Sequence, residues 1–211
     1  MCPDPSNDLN QKTMNTDNLT LMRASREALR GKWGIAILTF FIYTLLTTTS
    51  GTMRAHGSFL TISSTLTLII GGPLALGAAI FSLSISRGKE AGIEQLFQGF
   101  NNFANALITY LLLLLYVFLW MLLLIVPGII AALGYSMTFY IIADDPQIKP
   151  QDALKKSKSM MDGHKEKLFY LCLRFFLLAI LCILTLGIGF LWLVPYVHVT
   201  MAKFYDDVRG I

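Results

Sequence analysis

Charge is what this chain has least of. Only 14% of its 211 residues are charged, against about 25% in an ordinary soluble domain. The charges are also unevenly placed. No Asp, Glu, Lys or Arg occurs in 33–53, 55–86, 95–143 or 175–202, and these runs together hold 130 residues. A soluble surface is punctuated with charge, so this distribution argues against a soluble fold. Cysteine is scarce as well, with only Cys2, Cys172 and Cys182. The last two stand ten residues apart in one apolar segment, about 15 Å of helical rise and too far for a disulfide. His56, His164 and His198 show no metal-ligand spacing, so no metal and no cofactor is expected. The catalytic signatures GxxxxGK[ST], HExxH, GxSxG and CxxC are all missing, and no apolar run holds paired carboxylates. An ATPase, the common hydrolases and an ion-coupled pump lose their usual support.

What is present is apolar: 55% of the residues are hydrophobic. A membrane helix needs about 20 mostly apolar residues. The runs therefore predict an all-α, polytopic transmembrane bundle of about six spans, near 33–49, 59–86, 106–126, 129–143, 168–186 and 190–205. The net charge of +4 is explained by membrane topology and anionic lipid rather than nucleic acid, because the basic residues flank the apolar runs. Residues 1–18 are polar with no apolar core. They read as a disordered cytoplasmic tail without a cleavable signal, and 19–208 as the membrane domain.

Three amphipathic segments separate the spans. In 19–32, Leu21, Ser25, Ala28 and Leu29 share a face and Arg23, Arg26 and Arg30 avoid it, with Gly31 as a stop. In 89–104, Ile93, Leu96, Phe97, Phe100 and Ala104 keep helical spacing. In 144–165, Pro150 suits a helix start, Ala153, Leu154, Ser157, Met160 and Met161 line one face, and Gly163 can end the helix. The turn 50–58 carries Arg54 and His56. Span two contains Gly71-Gly72-Pro73, where proline predicts a kink, followed by a stripe of small residues, Ala75, Ala79, Ser82 and Ser86, suited to close packing. Pro127-Gly128 reads as the turn between spans three and four. Pro195 lies inside span six, and Trp33, Phe169 and Trp192 near span ends suit aromatic belts.

The layout suggests a threefold internal repeat, with glycines at 31, 99 and 163 and prolines at 73, 127 and 195. The alternative is that any six-span protein built from hairpins shows some such period. Of the 17 Lys and Arg, 15 fall on one side under six spans, leaving Arg54 opposite and Arg174 inside span five. The positive-inside rule then places both termini and the amphipathic segments in the cytoplasm.

Several motifs cluster in the C-terminal half. They are Leu119-Trp120 through Pro127-Gly128, Tyr135-Ser136-Met137, Ala143-Asp144-Asp145-Pro146, the stretch Ser157 to Lys165, Lys167-Leu168-Phe169, Leu186-Gly187-Ile188-Gly189, Leu191-Trp192 through Pro195-Tyr196, and Phe204-Tyr205. With Ala28 to Trp33 and Pro73 to Gly77 as looser matches, the chain resembles a bacterial family of integral membrane proteins known as domain of unknown function number 975. The resemblance implies a multi-span bacterial inner-membrane protein and brings no reaction or substrate. Arg174 and Leu178 depart from it, standing where the family carries a small polar residue and then a Trp.

The candidate polar or ligand residues are Arg174, Asp144, Asp145, His198 and Tyr135. Asp144-Asp145-Pro146 is expected to be a solvated interfacial turn, the alternative being a cation or proton site. Arg174 is expected to snorkel to the headgroups, the alternatives being a buried partner such as Asp144 or an anionic substrate. His198 is expected to be a packing residue rather than a proton relay. Lys155, Lys156, Lys158 and Lys165 are candidates for anionic lipid headgroups. Together these features predict a non-enzymatic scaffold, accessory protein or binder of lipid or hydrophobic peptide. Its partners would be anionic membrane lipids and a protein or second copy. The alternative is a small permease for a lipophilic or anionic solute, since transporters combine repeats with broken helices.

Overall fold

The structure, a computed structural model, describes residues 16–52, 62–185 and 187–210. Most of the N-terminal tail with Cys2, the turn residues Arg54 and His56, and Leu186 lie outside the described residues. Ten α-helices and no strand are found among those described. They are α1 (Asn18–Ala28), α2 (Trp33–Thr52), α3 (Ile62–Ser86), α4 (Glu94–Gln98), α5 (Phe103–Leu123), α6 (Ile125–Tyr135), α7 (Thr138–Asp144), α8 (Pro150–Met160), α9 (Lys165–Leu184) and α10 (Phe190–Arg209). A 3-10 turn, Gly99–Asn102, joins α4 to α5.

Among the described residues, four segments are long and apolar enough to cross a membrane: Ile69–Ser86, Glu94–Leu122, Val126–Asp144 and Lys165–Leu184. A fifth arises only if α1 and the start of α2, bent by 100°, count as one span. The expected count of about six is therefore not confirmed among the described residues. The shortfall at the C-terminus has a simple cause: Lys203, Asp206, Asp207 and Arg209 occupy the last turns of α10, leaving too little apolar length before them.

The α5–α6 hairpin also turns earlier than expected. Its corner is Leu124, in extended backbone, and Pro127-Gly128 lies inside the first turn of α6. Proline is tolerated there because its missing N–H would have no helical acceptor. Gly128 lets the hairpin close, since a Cβ would stand 2.6 Å from Met121 Cγ. The expected span 129–143 is not one helix but α6 and α7, broken at Ser136 and Met137. The Ser136 and Thr138 hydroxyls at the break donate to the Leu133 and Tyr135 carbonyls, at 2.7 Å each. Pro73 and Pro195, by contrast, break nothing: α3 and α10 continue through them.

α3 is the hub, packed by α2, α4, α5, α7 and α10. Its small-residue stripe is confirmed as packing surface, with Ala79, Ser82 and Ser86 buried. Two glycines set the closest approach. A Cβ on Gly77 would strike the Leu96 carbonyl, and one on Gly99 would strike the Pro73 carbonyl and come within 2.8 Å of the Gly77 nitrogen. In lipid, association gains little from hiding apolar surface, so such tight contacts and polar links must hold the bundle. Two apolar cores flank α3. One gathers Leu83, Met137, Ile141, Leu171, Phe204 and Tyr205, the other Leu29, Phe40, Phe81, Ile85 and Leu96.

The surface helices follow the sequence in part. α1 buries Leu21 and Ser25, with Leu29 just beyond, and exposes Arg23, Arg26 and Arg30. α8 buries Ala153, Leu154 and Ser157 and exposes Lys155, Lys156 and Lys158. The middle segment differs. Only Leu96 of its expected apolar face is deeply buried, while Phe97, Phe100 and Phe103 form an exposed ladder of stacked rings 6.4 Å apart. The short α4 meets α3 closely at Leu96, whose carbonyl faces Gly77, with Gly99 just beyond it in the 3-10 turn. Gly31 and Gly163 take the left-handed conformation after α1 and α8 (φ +80 and +79), whereas Gly99 sits at φ −58 as a contact residue. The threefold repeat is therefore not confirmed at its middle glycine.

Candidate functional site

Three helices end at one place. Arg87 follows α3, Asp144 closes α7, and Asp206 and Arg209 lie in the last turn of α10. The Arg87 guanidinium donates two parallel hydrogen bonds to Asp144, at 2.7 and 2.9 Å. It donates two more to Asp206 Oδ1, at 3.1 and 2.7 Å. The Ser86 hydroxyl donates to Asp206 Oδ2 at 2.9 Å. Tyr205 donates to Asp144 at 3.1 Å, and Arg209 pairs with the same carboxylate. The planar fork of arginine suits this double recognition, which a lysine could not reproduce. Bonding to Asp144, backed by Asp206, raises the Arg87 pKa above its ordinary value although partial burial pulls the other way.

Neighbouring contacts draw the remaining basic segments to the same end. Lys167 pairs with Asp207 at 2.6 Å, and Asn18 donates to the Lys167 carbonyl at 3.0 Å. Lys32 donates to the Lys89 carbonyl at 2.6 Å. The Asn102 and Asn105 amides donate to the Pro146 carbonyl, and Asn105 also to Ile148. Each charge here finds a countercharge or a carbonyl, so the cluster is built to lock helix ends.

The sequence-predicted residues scatter among three places. Asp144 is not free in a solvated turn, as expected, but sits at the centre of this lock. Asp145 is the turn residue, exposed, accepting the Gln147 N–H at 3.3 Å, a local Asx pattern. Arg174 is not joined to Asp144, whose partners are Arg87, Arg209 and Tyr205. Its Nη1 is buried without a hydrogen-bond partner inside α9. His198 stacks on Phe40 at 4.5 Å and meets Tyr43 edge-on at 6.0 Å. It borders an apolar gap of about 430 Å³ between α9 and α10, and its backbone carbonyl accepts from Tyr140 at 3.3 Å. Arg87, Asp206 and Arg209 were missed. Only Arg87 carried a signal, its place as the first charge after the run 55–86.

The third place brings candidates together. Tyr135, Lys158 and Lys165 line a pocket of about 200 Å³ with Trp120, Pro127, Ile130 and Ala131. Lys155 and Lys156 are exposed on α8 and do not line it. The Ser157 hydroxyl donates to the Gly134 carbonyl at 2.8 Å and fixes α8 on α6. The Lys165 stem passes over Gly134, 3.8 Å from where a Cβ would stand. Tyr135 is stacked on Tyr116 at 6.0 Å. The result is a pocket with an apolar floor and a cationic rim.

No curated relative and no solved structure matches the chain. A family model described as a protein of unknown function, DUF975, matches residues 14–133 and 121–211. The chain belongs to the DUF975 family.

Proposed function

We propose that the protein is a non-enzymatic scaffold that binds anionic lipid. Its seat is the bacterial cytoplasmic membrane, with the basic segments and both termini in the cytoplasm. One observation carries this: the basic segments are drawn to a common end, beside helices whose outer faces are apolar. Phe118, Leu122, Leu177 and Leu184 of α5 and α9 are exposed, which suits hydrocarbon rather than water. Lys155, Lys156 and Lys158 point outward from α8, and each lysine near an anionic surface contributes about 1 kcal/mol. Excess Lys and Arg at one end supports the cytoplasmic orientation. The test is mass spectrometry of lipid retained on mild purification. Anionic lipid enriched above the level on an unrelated membrane protein is the expected result. Retention no greater than that background overturns it.

A permease is the second reading, favoured by Arg174 Nη1, which is buried without a partner in an apolar helix where an anionic solute could pair with it. Flux through liposomes that falls in Arg174→Ala would support it. Absence of flux for lipid and anionic solutes would leave the scaffold alone.

A further inference from the structure

We propose that the pocket between the α5–α6 hairpin and the α8–α9 corner holds one anionic phospholipid. Its phosphate would lie between Lys158 and Lys165, with an acyl chain against Trp120, Pro127 and Ile130. The inference rests on the lipid-binding function above and names its site.

The cationic rim is built, not incidental. Gly134 lies beneath both lysines. Its carbonyl accepts from Ser157, which sets the following residue, Lys158, over α6. The Lys165 stem runs over Gly134, with Cε 3.8 Å from where a Cβ would stand. Among the described residues Lys158 has no ion-pair partner. Lys165 has only Asp162, at 3.6 Å, with that carboxylate 84% exposed. No Asp or Glu lines the pocket. Lys165 also opens α9, whose N-cap makes no side-chain hydrogen bond, so free N–H groups and the helix dipole add positive potential there.

The floor decides between occupants. A free inorganic anion would satisfy the ammonium groups and leave Trp120 and Ile130 uncovered. A zwitterionic lipid would fill the floor but bring no net charge to the rim. A cavity of about 200 Å³ is smaller than a typical enclosed ligand site of about 300–1,000 Å³. It therefore suits a headgroup and the first part of one chain, which continues outward past Ile129 and Val126, both exposed. Tyr135 supplies a hydroxyl at the polar level.

The test uses the full chain with Trp33→Phe and Trp192→Phe, so that Trp120 alone fluoresces, in phosphatidylcholine vesicles. Brominated phosphatidylglycerol, added at matched fractions, is expected to quench Trp120 more than brominated phosphatidylcholine. Each of Lys158→Gln and Lys165→Gln should weaken the apparent affinity about fivefold, and the pair about 30-fold. Lys158→Arg with Lys165→Arg keeps the charge and should keep the preference. Equal quenching by the two lipids, or a preference that survives the double Gln variant, overturns the site. If purified protein still retains anionic lipid in that case, only the site falls; if it retains none, the function falls with it.

Discussion

Arg87→Met removes the clasp at the end of α3 and leaves two carboxylates behind. The side chains of Arg87, Asp144 and Asp206 are 24%, 13% and 10% exposed. Breaking a fully buried pair costs about 3–5 kcal/mol, mostly from the charge left without its partner. Here the loss should sit below that range, about 2–3 kcal/mol, because Arg87 is partly exposed and Asp144 keeps Arg209 and Tyr205. Asp206 suffers more, keeping only Ser86 from this cluster. Asp206→Asn should therefore be harmful alone and helpful beside Arg87→Met, recovering about half the loss. Equilibrium unfolding in mixed micelles, followed by far-UV circular dichroism, completes the double-mutant cycle. A loss under about 0.5 kcal/mol for Arg87→Met, or an Asp206→Asn effect equal in both backgrounds, would refute the clasp.

Other expectations follow from particular contacts. Gly77→Ala should cost about 1–3 kcal/mol, as overpacking does, because the Cβ meets the Leu96 backbone carbonyl; Gly134→Ala, with its nearest atom at 3.8 Å, serves as the tolerated control in the same thermal melts. Ser157→Ala should lose about 1 kcal/mol with the buried hydrogen bond to Gly134 and should also weaken the anionic-lipid preference, because Lys158 is no longer held. His198→Phe keeps the stack on Phe40 and should change stability by less than about 1 kcal/mol; a larger loss would point to a polar role for the imidazole. In a background without Cys2, Cys172 and Cys182, Lys156→Cys and Ile188→Cys should react with an impermeant maleimide from opposite sides of the membrane, and labelling from one side would contradict the topology.

Much of the helical layout was legible because charge and turn chemistry are local. Pro150 opens α8, Gly163 follows it in the left-handed conformation, and the buried faces of α1 and α8 keep the spacing read from the sequence. The span count stays unconfirmed where tertiary context decides. α10 carries charge into its last turns because Arg87 and Lys167 are there to receive Asp206 and Asp207. The fold of 124–144 escaped because the corner is an ordinary leucine and the break at Ser136 and Met137 carries no proline or glycine. The lock at Asp144 was invisible for another reason: Arg87, Asp144 and Asp206 are 57 and 62 residues apart in sequence, and no local pattern joins them. Conversely, Lys158 and Lys165 were read together as headgroup candidates and Tyr135 apart from them, and only the packing of α8 on α6 made the three one pocket.

The central claim is that this membrane protein binds anionic lipid at a basic end. Native mass spectrometry of the full chain, released from micelles containing equal phosphatidylglycerol and phosphatidylcholine, tests it most directly. The account predicts bound phosphatidylglycerol in excess, with the excess shrinking as salt rises and screens the lysines. Equal occupancy by the two lipids at low salt would contradict it.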